Sequence, residues 1–487
     1  MTEAVNRAGG AKAAVARALD RQLLLTSAPS QRLRRIAALV LVGGFAALGA
    51  LVIRDHDLAD WNASGRLAWS LSLLALVMLL ARGIALSRPV SYAHATAATA
   101  ILLSGLGAHA LGLGFAGDAL IASTGLALMW PIASRPGPDD PKSVWPLIEV
   151  SRGDPLAAFA MQSTKSRLFT EDRTAALAYR ARLGFAVVSG DPVGQPGAYR
   201  ELIADFVGMC QRQGWRIMVL GCGQRRLDLW RAPGIGQSFL ALPIGRDVVV
   251  DVTRFTLSGH AFRNLRQAVA RTHNRGITTE IIAEQSLSGA RRAELAEVVD
   301  AAHRDGRRER GFSMMLDGTL EGHYPGVILA IGRDRDGRVQ AFHRYVSSGA
   351  GSDVSLDLPW RSPDAPNGID ERLTVDMIAW CRAQGAQRLS LAFAPFPELF
   401  EVANRTVLQH IYYAFIHLGD PLIRLESLYV YLRKFHAFDR RRYVLVSARH
   451  LLWAVLVLLP LEFLPHRASC SGLAPESGAT SAPDVAY

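Results

Sequence analysis

The sequence predicts an α-helical transmembrane region followed by an α/β soluble domain, and three observations carry that reading. Apolar runs close to bilayer-spanning length recur through the first third of the chain, separated by short polar breaks. From Pro136 to Val446 the pattern changes to helical periods alternating with strand-like runs. The chain has 487 residues, 50% of them hydrophobic, which leaves room for membrane segments beside globular units.

The membrane candidates are Ile36–Ile53, Leu67–Leu86, Tyr92–Leu113 and Ala119–Ser134. No small-residue cleavage site follows the first, and three more runs succeed it, so it reads as a helix rather than a signal peptide. Arg32, Arg34 and Arg35 precede the first run, and Arg82 and Arg88 flank the second turn. The breaks at Asp55–Asp60 and Gly114–Asp118 are poor in basic residues. Basic loops stay in the cytoplasm, so four spans return the chain inside and the soluble domain is expected there, in a multi-pass cell-membrane protein. A further run, Leu451–Leu464, carries Pro460 and Glu462, leaving an interfacial helix and a fifth crossing both open. The tail from His466 is rich in Ser, Gly, Ala and Pro and is expected to be disordered.

A formal charge of +11 and a pI near 9.8 give a surface that attracts polyanions, phospholipid headgroups and nucleic-acid backbones alike. Lysines are confined to Lys12, Lys142, Lys165 and Lys434, so the arginine excess reflects composition as much as phosphate binding. Cys210, Cys222, Cys381 and Cys470 form no C-x-x-C pair, which excludes a thiolate zinc motif of that spacing and gives no disulfide framework.

In the soluble part, Leu202, Phe206 and Cys210 recur at fours, as do Leu295 with Val299, and Leu373, Met377 and Cys381; each set marks an amphipathic helix laid on a sheet. Val327–Ile331 and Arg338–Val346 flank Arg333–Gly337, whose Asp336-Gly337 pair signals a hairpin, and Val354–Leu358 supplies a third strand. A helix near Asp370–Gln384 and a strand at Arg388–Ala394 follow. Earlier, Ala178–Gly190 reads as a hairpin, Tyr199–Gln213 as a helix and Arg216–Leu220 as a strand. Meander, helix, strand is the order of the GCN5-related N-acetyltransferase fold. Two such units in tandem, 136–320 and 321–446 with the catalytic cleft in the second, are therefore expected. In ordinary acetyltransferases a glycine-rich loop cradles the acetyl-CoA pyrophosphate. Here that loop, Trp360–Gly368, contains Pro363 and Pro366, which remove amide donors, so acetyl-CoA use is not supported.

Five segments then carry a more specific resemblance: Ser189–Gly194, Asn264–Val269, Ser355–Leu358, Ala365–Gly368 and Ala394-Pro395. In order and spacing they resemble the C-terminal domain of the lysyl/alanyl-phosphatidylglycerol synthases, the soluble part of the multiple peptide resistance factor. The resemblance implies an aminoacyl-tRNA donor, phosphatidylglycerol in a membrane as acceptor, and no metal, organic cofactor or DNA partner. It implies transesterification, in which a lipid hydroxyl attacks the ester joining amino acid to tRNA; this needs positioning, a proton acceptor and oxyanion donors.

On that reading Asp357 is the candidate for a catalytic or α-amino-binding carboxylate, with a structural ion pair to a nearby arginine as its other reading. Arg361 is the candidate for oxyanion or phosphate binding, Asn367 for a donor, and His343 for proton transfer; turn or structural roles stand beside each. Asp191, Arg263, Asn264, Arg266 and Gln267 are the candidate substrate-binding residues. Arg263, Arg266, Arg271 and Arg275 are expected on a helix opened by Ser258, as a phosphate stripe for tRNA or a solvated face. Arg440, Arg441 and Arg442 would lie near headgroups if the last apolar run touches a bilayer.

Departures from the family pattern bear on specificity. Asp357-Leu358-Pro359-Trp360-Arg361 keeps one arginine of an expected pair, Arg246-Asp247 replaces two glutamates before an expected strand at Val248–Val252, and Asp439-Arg440-Arg441-Arg442-Tyr443 stands for Trp-Glu-Pro-Arg-Tyr. An arginine in place of an acid repels a lysyl group, which argues against lysine as donor. Four helices are fewer than the family's flippase region, so translocation would belong to another protein. Another membrane-associated acyl or aminoacyl transferase, or a non-catalytic lipid- or tRNA-binding descendant, remains open.

Overall fold

The computed structural model describes residues 22–24, 35–46, 63–86, 88–136, 141–232, 234–305, 311–395 and 425–463. The expected disordered tail and the end of the first apolar run lie outside them.

The apolar runs form helices α1 (Ala63–Ala85), α2 (Tyr92–Ala110) and α3 (Gly114–Met129), after a helical stretch at 35–46. Small residues let them approach closely: a Cβ on Gly125 of α3 would lie 2.8 Å from the Leu76 carbonyl oxygen of α1. These helices are 23, 19 and 16 residues long and rich in Ala, Gly, Ser and Thr. Among the described residues no helix is long and apolar enough to cross a membrane, so the four expected spans are not found there. The helices join the sheet through Trp215 Nε1, which donates to the Ile132 carbonyl at 2.9 Å, and through Ser134 N donating to the Ala181 carbonyl at 3.0 Å.

The rest is α/β, as expected. A short helix α4 (Trp145–Val150) leads to strands β1 (Ser166–Phe169), β2 (Ala175–Arg182), β3 (Phe185–Ser189) and β4 (Val193–Gly194). Helix α5 (Tyr199–Gln213), β5 (Arg216–Gly223), β6 (Leu240–Asp251), α6 (Arg263–Asn274), β7 (Thr278–Ala283) and α7 (Gly289–Arg304) follow. Then come β8 (Val327–Arg333), β9 (Val339–Ser348), β10 (Asp353–Arg361), α8 (Ile369–Ala383), β11 (Arg388–Pro395), α9 (Leu425–Arg433), β12 (Phe438–Val446) and α10 (Leu451–Phe463).

Among the described residues the twelve strands from Ser166 onward form one sheet in the order β1-β2-β3-β5-β12-β6-β11-β10-β9-β8-β7, with β4 beside β2, while 22–24 and 90–91 pair separately. Each half is an antiparallel meander ending in a parallel pair, β3 with β5 and β10 with β11. Strands β6 and β7, which precede residue 320, pair with β11 and β8 of the later half, while β12 returns to sit between β5 and β6. The halves are thus stitched by the last strand rather than laid end to end.

Local signals placed the hairpins and helices within a few residues. Leu202, Phe206 and Cys210 are buried against Leu177, Tyr179 and Val219, as their spacing requires. Leu373, Met377 and Cys381 of α8 and Leu265 of α6 bury against Val248, Ala341 and Tyr345 on one face; Leu295 and Val298 of α7 meet Phe342 and Trp360 on the other. Two expectations are corrected. Helix α6 opens at Arg263 with Phe262 at its cap, not at Ser258, whose hydroxyl pairs with Thr256. The strand expected at Val248–Val252 begins at Leu240, so Arg246 and Asp247 lie inside it rather than before it. Strands alternate their side chains, and only one of two adjacent residues can face a given side.

Candidate functional site

Strands β10 and β11 pair only from Asp353–Ser355 to Arg388–Ser390 and then part. On one face of the sheet, where β10, β11, β6, β12 and β5 pass side by side, the segment from Ser151 to Pro155 leaves a cleft whose lining includes Asp154, Asp191, Tyr199, Asp247, Ser355 and Ser390. Its floor is Arg442 of β12, buried, with Nη2 at 2.6 Å from Asp154, Nε at 2.8 Å from Asp247 and Nη1 at 3.5 Å from Asp191. Arg442 Nη1 also donates to the Gly221 carbonyl at 3.1 Å.

Three carboxylates around one guanidinium leave a negative excess. Burial, then the neighbouring Asp154, pushes the Asp191 carboxyl up to about 6, against the pull of Arg442 and the Gly223 amide. Burial also raises Asp247, opposed by Arg442. Burial alone would lower Arg442, but Asp154, Asp247 and Asp191 hold it well above its ordinary value. Among the described residues Asp154 Oδ2 is buried with no hydrogen-bond partner, so one oxygen of the cluster is open to a further donor. The rim is basic: Arg225, Arg226, Arg440 and Arg441 line the same cleft, and Arg226 stands 4.9 Å over the Tyr199 ring.

Of the candidate catalytic and substrate-binding residues expected from sequence, Asp191 alone lies in this cleft, while Arg440, Arg441 and Arg442, expected near headgroups, line it too. Asp357 stands where β10 bulges: Arg344 is opposite Leu358 while Tyr345 is opposite Leu356, leaving Asp357 between them. Its side chain is fully buried, at 3.1 Å from Arg344 Nη1, and its Oδ1 accepts from the Leu316 amide at 2.9 Å. Glu284 holds the other side of Arg344 at 3.1 Å. The ion-pair reading of Asp357 is what the geometry presents. Arg361 and His343 do come together, through Asp370 at the start of α8: Arg361 Nη1 is 3.3 Å from Oδ2 and His343 Nε2 is 3.0 Å from Oδ1. His343 is buried, its other ring nitrogen 3.1 Å from the Tyr345 hydroxyl, and Arg361 Nη2 donates to the Ala365 carbonyl at 3.1 Å. Asn367 is exposed in the loop that this chain of contacts braces.

On α6, Arg263, Asn264, Gln267 and Arg271 are exposed, and Arg275 caps the helix end. Arg266 differs: its Nη1 donates to the Leu257 and Gly259 carbonyls at 2.5 and 2.6 Å, closing the preceding loop. Arg442, placed near headgroups from sequence, faces the acidic cleft instead, because three carboxylates make a buried guanidinium affordable. Asp154, Asp247 and Arg442 were the missed site residues; the Arg-Tyr of the final family segment was the signal for Arg442, the replaced glutamate pair the signal for Asp247, and nothing local marked Asp154. Among the described residues no His, Cys, Asp and Glu group could hold a metal ion.

Comparisons with known proteins follow the same lines. A family model described as phosphatidylglycerol lysyltransferase, C-terminal, matches residues 146–446. An MprF-like domain protein of Mycobacterium tuberculosis is 55% identical over 454 residues, 93% of this chain and 94% of that protein. A lysylphosphatidylglycerol biosynthesis bifunctional protein, LysX, of Mycobacterium avium is 34% identical over 264 residues, 54% of this chain. The match spans only 22% of LysX. In structure, the chain resembles L-PGS from Bacillus licheniformis, with a TM-score of 0.55 and 22% identity over 68% of this chain and 98% of that one. It also resembles a C-terminal domain from Agrobacterium fabrum assigned to a lysylphosphatidylglycerol synthetase, with a TM-score of 0.57 and 23% identity over 67% and 98% of the two chains. At that identity the two structures attest the fold.

Proposed function

Since the chain belongs to the phosphatidylglycerol lysyltransferase C-terminal family, we propose that it is an aminoacyltransferase moving an amino acid from aminoacyl-tRNA to a phospholipid hydroxyl, as on phosphatidylglycerol, at the cytoplasmic membrane face. The observation that supports this is the charge pattern of the cleft, an acidic floor under a basic rim. An aminoacyl ester carries an α-ammonium close to the phosphates of its tRNA, and the acceptor carries a phosphate near its hydroxyl. Cation below and anions above match floor and rim.

In this reading the α-ammonium sits against Asp247 and the free oxygen of Asp154. The lipid hydroxyl oxygen attacks the ester carbonyl carbon, and its proton passes to Asp191, whose raised value suits a base working near neutrality. The tetrahedral anion collapses, the bond to the tRNA ribose oxygen breaks, and that oxygen takes the proton back from Asp191. Arg442 is a positioning residue that holds the three carboxylates together. Rim arginines and the exposed face of α6 at Arg263, Gln267 and Arg271 meet tRNA phosphates. Asp247 keeps an acid where the family pattern has one, while Arg246 donates to the Asp439 carbonyl at 2.9 Å on the exposed side. Arg361, His343 and Asp370 brace the loop to Asn367.

The test is transfer of a labelled amino acid from charged tRNA into phosphatidylglycerol vesicles by the full chain, screened across amino acids. Wild type is expected to transfer, and Asp154→Asn and Asp191→Asn to lose roughly 10²–10⁴-fold in rate while folding normally. Transfer at the wild-type rate by both variants would overturn the cleft. No transfer of any amino acid by wild type would favour a descendant that only binds.

A further inference from the structure

A second cluster of basic residues lies away from the cleft, where α10 leaves the sheet. The turn before β3 brings it together. Arg216 N donates to the Gly184 carbonyl at 2.8 Å, and Arg88, which follows α1, reaches over the same glycine while its Nη1 donates to the Met129 carbonyl at 2.6 Å. The His450 ring stacks edge-on to Phe185 at 5.6 Å, with Arg449 beside it in sequence. Arg216 lies within the field of Arg35 and Arg449, and Arg88 within that of Arg82 and Arg216. Burial first, then repulsion from Arg35 and Arg449, holds Arg216 below its ordinary value. Among the described residues none of these five arginines, exposed or half-buried, forms an ion pair with a carboxylate, whereas the buried Arg344 and Arg442 do.

Helix α10 starts from this cluster. Ala454, Val457 and Leu461 are buried against Phe185, Val187, Met218 and Leu220, and Glu462 accepts from the Phe312 amide at 3.0 Å, so one stripe and the far end are fixed. The opposite stripe is apolar and open: Leu452 is 83% exposed, Trp453 52% and Leu456 59%. A helix pinned along one side that shows leucine and tryptophan on the other, with unpaired arginines at its start, has the charge and polarity of an interfacial anchor.

We infer that this end of the molecule binds an anionic phospholipid, with the headgroup phosphate held by Arg35, Arg216, Arg449 and His450, and the exposed stripe of α10 lying among the acyl chains. The site is separate from the cleft and does not depend on the transfer reaction. It seats the bilayer at the end of the sheet from which α1, α3 and α10 all approach.

The experiment titrates the detergent-solubilised full chain with phosphatidylglycerol, phosphatidic acid and phosphatidylcholine, counting retained lipid by native mass spectrometry. Both anionic lipids should be retained over phosphatidylcholine. Arg449→Gln, at an exposed position, and Arg216→Gln should each weaken retention roughly fivefold, the usual effect of one basic residue at an anionic surface. Glycerol phosphate, which has the headgroup chemistry without chains, should compete weakly, and Trp453→Ala with Leu456→Ala should weaken lipid but not glycerol phosphate. Asp154→Asn in the cleft should leave retention unchanged, so failure here and failure of the transferase reading are separate results. Equal retention of all three lipids, retention indifferent to both arginine changes, or a concentration-dependent dimer abolished by Leu456→Arg would each overturn the assignment.

Discussion

Arg442 Nη2 and Asp154 Oδ1 meet at 2.6 Å although 288 residues separate them along the chain. The contact ties the last strand to the segment that roofs the cleft. Replacing Arg442 with leucine leaves Asp154, Asp191 and Asp247 facing one another without a counter-charge. Losing one partner of a buried ion pair costs about 3–5 kcal/mol. The denaturation midpoint of Arg442→Leu should fall accordingly, and an unchanged midpoint would show that the cleft is hydrated and loosely held.

The raised value of Asp191 makes a pH prediction with a definite sign. Its folded value of about 6 lies above the ordinary carboxylate value, so the folded state favours the protonated form more than the unfolded state does. That contribution is complete below the unfolded value near 4 and is lost as pH rises through about 6. Asp191→Asn should therefore raise the thermal midpoint at pH 8 relative to wild type, with the gain shrinking toward pH 4. Transfer by wild type should fall as pH drops below about 6; a flat rate from pH 5 to 8 would remove Asp191 as the base.

Asp357 gives the contrasting case. Asp357→Asn keeps the shape of the bulge and the bond from Leu316 but removes the charge facing Arg344. The loss should appear in stability, on the order of 1.5–3 kcal/mol for a hydrogen bond to a charged group. Transfer per folded molecule should hold. A rate loss of 100-fold with stability intact would return Asp357 to the active site.

The loop that lacks acetyl-CoA chemistry makes a backbone prediction. Gly368 has φ +98°, and a Cβ there would come within 2.9 Å of the Ala268 carbonyl oxygen of α6. Gly368→Ala should cost roughly 1–3 kcal/mol, the scale of a residue forced into a left-handed conformation. Calorimetry of the full chain with coenzyme A should show no saturable binding; micromolar affinity would restore the ordinary acetyltransferase reading.

What the sequence determined by itself is local. Leucine and cysteine spacing placed α5 and α8, and Asp336-Gly337 placed the β8–β9 hairpin, because helix faces and tight turns are decided by residues within a few positions of one another. The family segments carried the identity of the soluble part, and Asp191 among its residues. Strands β6 and β12 were not legible in full. Arg246-Asp247 read as lying before a strand and Arg440–Arg442 as lying near headgroups, and only the sheet decides that one member of each faces a neutralising partner. The cleft itself was beyond local reading, since Asp154, Asp191, Asp247 and Arg442 come from four distant parts of the chain. A buried charge is tolerated only where an opposite one arrives beside it. Tertiary structure made that choice, turning Arg442 inward onto three carboxylates and leaving the half-buried Arg216 and exposed Arg449 without one among the described residues.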